Sequence, residues 1–242
     1  MNDAMSNLIG GVAAGTADAG GKGKIAVEYE DLREWVALAD KLGETRVITG
    51  ASWEEQIGMA ADLVMHSDAA PCLIFDQVPG CKKGFRVLVN FFGGKRKNMT
   101  LGFPLDYSRL ALSQAFLEEY LRNRPLVRYQ EVSDGPVFEN VLLGDDVDVT
   151  RFPTPWWHKH DGGRYIGTGS FNVTLDPEEK WVNVGTYRVM VQDKKSVGFY
   201  ISPGKHGRIH RDKYQARKEP MPVAVVLGGD PLTFLMACSE VP

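Results

Sequence analysis

The chain has 242 residues, 43% hydrophobic and 24% charged, with a formal net charge of −3. This is globular composition for one large or two small domains, and the near-neutral balance gives no electrostatic case for nucleic acid or a membrane surface. No apolar run reaches the roughly 18–20 residues that span a bilayer, and the N-terminus lacks a basic-then-apolar signal pattern.

Residues 1–24 are rich in Gly and Ala and poor in large side chains. Such a segment cannot bury enough surface to offset its ordering entropy, so a flexible leader is expected. In 31–42, Leu32, Trp35, Val36, Ala39 and Leu42 share one helical face. Asp31 with Glu34 three residues later forms a capping-box pattern, and Gly43 is placed to end the helix. Ser52 with Glu55 repeats the start signal and predicts a helix over 53–66. The runs 72–78 and 85–92 predict strands, and "GKRK" at 94–97 a short solvated basic loop. A third helix is predicted over 108–122, with Leu110, Leu117 and Leu121 inward. Residues 25–125 thus form an N-terminal α/β domain.

From 136 the texture changes to strand-like runs at 137–144, 164–175, 181–192 and 196–202, broken by turn residues. Asp176-Pro177-Glu178 and Asp193-Lys194-Lys195 suit hairpin turns. A meander of this kind closes into a sandwich or barrel. Residues 207–219 read as a polar helical crossover, 222–229 as a further strand, and 231–238 as another helix. The fold class is α+β. Cys72, Cys81 and Cys238 are an odd set without metal-ligand spacing and read as reduced thiols of a cytoplasmic protein. His158 and His160 fall in a loop after Pro153 and Pro155, where a zinc site is disfavoured, and His66 and His210 are expected on helix surfaces.

Two long motifs carry more. "ENVLLGDDVDVTRFPTPWWHKHDGGRYIGTGSFNVTLDPEEKWVNVGTYR" contains a D-x-T-x-F-P-x-P stretch, DGG-x-Y, a Thr-bearing strand, and W-x-N followed five residues later by Arg; "GKHGRIH" follows it. In this order they resemble the UbiD family of decarboxylases, which use prenylated FMN. The resemblance begins near Asp31 and is strongest over 140–241. It implies that residues 126–242 are the first part of a split β-barrel flavin-binding domain, like that of flavin reductases. It implies Asn183 and His206 as ligands of Mn²⁺ (or Mg²⁺) bound to the flavin phosphate, with a K⁺ nearby. An amide oxygen, one imidazole and phosphate oxygens make a mostly hard donor set suited to those ions. It implies Arg188 as the catalytic arginine, whose planar fork holds a substrate carboxylate, and Thr168, Gly185, Thr186, Arg188, Lys205 and His206 as cofactor contacts. Lys205 stands where some members have glutamine, and Ala237, Cys238 and Ser239 replace a Ser-Ser-Met contact.

Without the motifs these residues have plain alternatives. A strand arginine reaches solvent, Asn183 faces outward from a half-buried strand, and His206 bonds a turn backbone. With them, the resemblance implies reversible, non-oxidative decarboxylation of an aromatic, hydroxybenzoate-type, or α,β-unsaturated carboxylic acid. It further implies a homo-oligomer when complete and a flavin prenyltransferase that supplies the cofactor. The family's two catalytic glutamates and third metal ligand align beyond Pro242, so this chain is expected to cover about half of such an enzyme and to be inactive alone. A cofactor-binding or structural module without turnover is the alternative. A simple flavin reductase needs neither the divalent ion nor a carboxylate clamp. Finally, Asn183 and Arg188 are an odd number apart and would face opposite sides of a regular strand. A bulge at Gly185–Thr186 is expected to bring both to one cofactor; the alternative is a regular strand at the barrel rim, with the flavin wrapped around its edge.

Overall fold

The computed structural model of the chain describes residues 27–67, 70–122 and 130–239. The leader expected at 1–24 lies outside the described residues. The fold is α+β, with three three-stranded sheets among the described residues.

The first sheet has the order β1 (Thr45–Thr49), β2 (Cys72–Asp76), β3 (Val87–Val89). β2 runs parallel to β1, Thr45 opposite Cys72, and antiparallel to β3, Ile74 opposite Leu88. As the middle strand it buries Cys72, Leu73, Ile74 and Phe75 in succession, the continuous apolar run that a strand covered on both faces requires. Helix α1 (Leu32–Lys41) packs Trp35 and Ala39 against Cys72 and Met99. Its start is set by the Asp31 carboxylate, which accepts from the amides of Arg33 at 2.8 Å and Glu34 at 2.9 Å. Helix α2 (Gln56–Met65) packs Ile57 against Leu73, Phe75 and Val78.

The departures from expectation have identifiable causes. β1 was not anticipated. α2 begins at Gln56 rather than 53 because the preceding backbone is drawn to another segment: Trp156 N–H donates to Trp53 O at 2.9 Å and Glu55 N–H to Trp156 O at 3.2 Å. The strand expected over 85–92 keeps only three residues, since Asn90 turns the chain at φ +65°. The basic loop at 94–97 is corrected most. Arg96 opens helix α3 (Arg96–Thr100) and is fully buried. Its guanidinium bonds Glu44 Oε2 at 2.5 Å and the Ala70 carbonyl at 2.8 Å, so the charge is paired where water cannot reach it. In the third helix, α4 (Arg109–Phe116) is capped by Ser108 and continues as a π-helical turn, Leu117–Arg122. Leu110, Leu117 and Leu121 are 69%, 39% and 44% exposed, not inward. The packed stripe is Leu112, Phe116 and Tyr120 against Phe103, because the aromatic rings cover more of that neighbour and Tyr120 Oη reaches Leu101 O at 2.8 Å.

Residues 136–151 form short 3₁₀ turns (Pro136–Phe138, Gly144–Asp146, Val149–Arg151). The strand expected at 137–144 does not form; Val137, Phe138 and Leu143 stay exposed, with no ladder partner among the described residues. The second sheet has the order β4 (Tyr165–Gly167), β7 (Arg188–Val191), β8 (Val197–Tyr200), and the third the order β6 (Val182–Gly185), β5 (Ser170–Leu175), β9 (Val223–Leu227), all antiparallel. The two expected hairpins form. The Asp176 carboxylate accepts from the Glu178 and Glu179 amides, and that of Asp193 from the Lys195 and Ser196 amides. Helix α5 (His206–Ala216) follows β8 and α6 (Pro231–Ala237) follows β9.

The run 181–192 is not one strand. Pairing breaks at Thr186–Tyr187, and β6 and β7 belong to different sheets. The break is a corner between sheets rather than a bulge at Gly185–Thr186 within a ladder. A second sheet change lies at Thr168–Gly169, between β4 and β5.

Candidate functional site

The strand β5 is turned inside out. Ser170, Asn172 and Thr174, followed by Asp176, alternate along the chain and are each at most 1% exposed. Period-two geometry puts them on one face, so the buried face of this strand is polar. Asn172 Nδ2 donates to Gly185 O at 3.2 Å and to Tyr187 O at 3.4 Å, holding both sides of the corner. Thr174 Oγ1 accepts from Asn183 Nδ2 at 3.1 Å and lies 3.0 Å from His210 Nδ1.

Tyr187 is the hub. Its Oη accepts from Asn183 Nδ2 at 3.1 Å and from the Gly207 amide at 3.0 Å. A β-carbon on Gly185 would lie 2.6 Å from that ring's oxygen, and one on Gly207 2.8 Å from its edge. Both positions therefore need glycine for the ring to sit between them. Asn183, at 7% exposure, and the first turn of α5 thus meet on one phenolic oxygen. His206, the first residue of α5, is exposed and packs edge-on against Trp181, with ring centroids 5.1 Å apart. Lys205 precedes it with an exposed side chain, and Thr186 sits half-buried at the corner.

His210, expected at a surface, is fully buried. Trp181 covers it edge-on, centroids 4.5 Å apart, and Nε2 lies 3.7 Å from Asp176 Oδ2. Burial pushes the imidazole pKa down, against the pull of the Asp176 carboxylate, and so favours the neutral ring. Burial pushes the Asp176 carboxyl up, but the Lys213 ammonium at 2.7 Å and the Glu178 and Glu179 amides outweigh it and hold it well below the usual carboxylate range. The error about His210 came from α5 itself, a polar helix whose sequence does not announce a polar strand face beneath it.

Across the corner, Arg188 opens β7, exposed, with its guanidinium carbon 5.6 Å from the Tyr165 ring centroid. Tyr165 and Thr168 line a cavity of about 380 Å³ with Phe85, Phe92, Trp157 and Phe234. Thr154 Oγ1 and Trp157 Nε1, on residues lining the same cavity, are buried without a hydrogen-bond partner among the described residues. The sequence-predicted residues therefore fall into two groups. Asn183 and Gly185 meet Tyr187, with Thr186 beside it in the chain, while Lys205 and His206 stand exposed at the start of α5, His206 against Trp181; Arg188 and Thr168 lie on the side of Tyr165. Sequence reasoning missed Thr174, Trp181, Tyr187 and His210. The four-residue spacing of His206 and His210 on one helix was the available signal.

Both amide hydrogens of Asn183 are used, by Thr174 and Tyr187, which leaves Oδ1 as the atom able to accept or ligate. An amide oxygen with an imidazole makes a donor set that fits a hard or borderline divalent ion better than tetrahedral zinc. Three or more His, Cys, Asp or Glu side chains do not gather anywhere among the described residues. An ion here would take its remaining donors from a bound phosphate or elsewhere. His158 lies in a loop and pairs with Asp62, Nε2 to Oδ2 3.2 Å.

Two family models match the chain: the 3-octaprenyl-4-hydroxybenzoate carboxy-lyase N-terminal domain over 36–114 and the Rift-related domain of the same enzymes over 129–242. A pyrrole-2-carboxylic acid decarboxylase of Pseudomonas aeruginosa is 32% identical over 185 residues, covering 72% of this chain and 36% of the relative. The closed form of the vanillic acid decarboxylase of Sedimentibacter hydroxybenzoicus superposes with a TM-score of 0.77 at 25% identity, covering 90% of this chain and 46% of that one. An evolved dimeric form of the UbiD-class enzyme HmfF from Pelotomaculum thermopropionicum, solved with prFMN, shares the fold with a TM-score of 0.70 at 22% identity, over 83% of this chain and 45% of that one. The chain thus spans less than half the length of these proteins.

Proposed function

The chain belongs to the UbiD family, whose models match it over 36–114 and 129–242, and from that premise we propose that it forms the flavin-binding half of a decarboxylase. The reaction is reversible, non-oxidative decarboxylation of an aromatic, hydroxybenzoate-type, or α,β-unsaturated acid. Residues 25–125 act as the N-terminal domain and 126–242 as the cofactor domain. The two small antiparallel sheets, joined where the chain changes sheets, support a split-barrel reading of the latter.

The observation that carries this reading is the corner at Thr186–Tyr187. It sets Asn183 and the start of α5 on one side and Arg188, beside Tyr165, on the other. Asn183 Oδ1 and the His206 imidazole would hold Mn²⁺ or Mg²⁺ against the flavin phosphate, with K⁺ on backbone carbonyls nearby. Thr168, Gly185, Thr186, Arg188, Lys205 and His206 would hold prenylated FMN. That cofactor supplies the electron sink that loss of CO₂ from an sp² carbon needs and no side chain provides. The Arg188 fork binds the substrate carboxylate and fixes its orientation. The cavity beside Tyr165 and Thr168 suits an aromatic ring by its lining. The assembled enzyme works as a cytoplasmic homo-oligomer and draws its modified flavin from a prenyltransferase.

Binding measurements test the assignments. With FMN and Mn²⁺ supplied, Arg188→Ala is expected to keep the flavin and lose the acid, since stranding a carboxylate costs about 2–5 kcal/mol. Asn183→Ala is expected to lose Mn²⁺-dependent flavin retention. Unchanged acid binding by Arg188→Ala removes the arginine from its role.

A further inference from the structure

The hydrogen bonds behind Asn183 have a direction, and it starts at Asp176. Thr174 has one hydroxyl hydrogen. Its Oγ1 lies 3.1 Å from Asn183 Nδ2, which can only donate, and 3.0 Å from His210 Nδ1. The hydroxyl oxygen can accept from both, so the direction of the second bond is set by the His210 tautomer: with Nδ1 bare, the hydroxyl hydrogen goes to it and the oxygen accepts from the amide. The Asp176 carboxylate, its Oδ2 3.7 Å from Nε2, draws the ring's one proton to that nitrogen, which has no hydrogen-bond partner among the described residues. Asp176 favours this tautomer because a carboxylate beside a bare Nε2 would set two lone pairs against each other. Lys213 and the turn amides keep that carboxylate in place. In the opposite tautomer His210 would donate to Thr174. Thr174 would then have its hydrogen free to donate to Asn183, which favours Oδ1 facing it instead of Nδ2.

We propose that Thr174, set by the His210–Asp176 pair, is a positioning residue that decides which end of the Asn183 carboxamide is left free, and that this end is the oxygen. Tyr187 Oη, accepting the second amide hydrogen, holds the other side. None of Thr174, His210 or Asp176 need touch a ligand to act. The inference deepens the reading of Asn183 as a metal ligand and rests on it for its consequence; the direction of the hydrogen bonds does not depend on that reading.

Two measurements on the full chain test it. Nitrogen-15 NMR of the histidine-labelled chain reports the His210 tautomer, and Mn²⁺ titration by electron paramagnetic resonance with FMN present reports metal affinity. The expected tautomer has a bare Nδ1 and a protonated Nε2. Thr174→Val is expected to weaken Mn²⁺ binding about 10–100-fold, the range for residues that orient a ligand, and Thr174→Ser, which keeps the hydroxyl, to restore it. A proton on Nδ1 overturns the proposal, as does a folded Thr174→Val chain with unchanged affinity. A wild-type chain that binds no Mn²⁺ removes the proposed consequence for metal affinity in this chain, while the tautomer still decides the hydrogen-bond direction. Should Thr174→Val fail to fold, the wild-type tautomer and Thr174→Ser carry the test.

Discussion

Residues 27–122 close around Trp35, Ile57, Leu73, Phe75 and Leu112 and give their buried polar side chains, Thr45, Arg96, Asn98 and Thr100, hydrogen-bond partners, whereas residues 130–239 close around Thr154, Ser170, Asn172, Thr174, Asp176, Asn183 and His210, with Val189 and Ile201 in the hydrophobic core. The first interior is the one the hydrophobic effect builds. The second works against it, because a buried polar group without a partner costs about 1–3 kcal/mol. Every such orphan atom among the described residues lies in the second half: Thr154 Oγ1, Trp157 Nε1, Ser170 Oγ, Asn172 Oδ1 and His210 Nε2. The contrast is in how buried polar groups are matched. One interior satisfies its polar groups, and the other leaves several unmatched, two of them, on Thr154 and Trp157, on residues that line the cavity beside Tyr165.

The sharpest way to break this contrast is Arg96, the charge buried in the first half. Arg96→Ala strands Glu44 and several carbonyls and is expected to cost about 3–5 kcal/mol by urea unfolding; a loss near zero would mean the first half does not depend on its paired charge. Next comes Gly207→Ala in the polar half. The new β-carbon meets the Tyr187 ring at 2.8 Å, so a cost of about 1–3 kcal/mol from overpacking is expected, with weakened flavin retention. The smallest effect has the opposite sign. Ser170→Ala removes a buried hydroxyl without a hydrogen-bond partner among the described residues and is expected to leave stability unchanged or raise it by up to about 1 kcal/mol. A clear destabilisation would show that the polar face of β5 contributes to folding after all.

The same contrast explains what could be read from the residues. Capping at Asp31, the β2 run and both Asp-led hairpin turns follow from local chemistry, and they form where expected. What failed was decided by distant partners. Trp156 unwound the start of α2, Glu44 and Ala70 drew Arg96 inside, and Phe103 chose the aromatic stripe of α4 over its leucines. At the site, Asn183, Arg188 and His206 were visible as polar residues in apolar or motif-bearing stretches. Thr174 and His210 were not, since a threonine on a strand and a histidine on a polar helix look ordinary until a polar strand face is seen to bury them.

The corner between β6 and β7 also works as a gauge. Asn183 and Arg188 are joined by five residue steps, anchored on one side by the β5 ladder and on the other by β4 and β8. Five steps of chain reach at most about 17 Å, so covalent geometry caps the separation of the two backbone anchors. Changing Thr186 alters the chemistry of that span and leaves its length alone. Inserting one residue adds about 3.3 Å of extended chain, which must bulge out or slip a ladder by one place and turn its side chains over. Relatives that share this corner should therefore hardly vary in its length, and should keep glycine at 185, where a side chain would strike the Tyr187 ring.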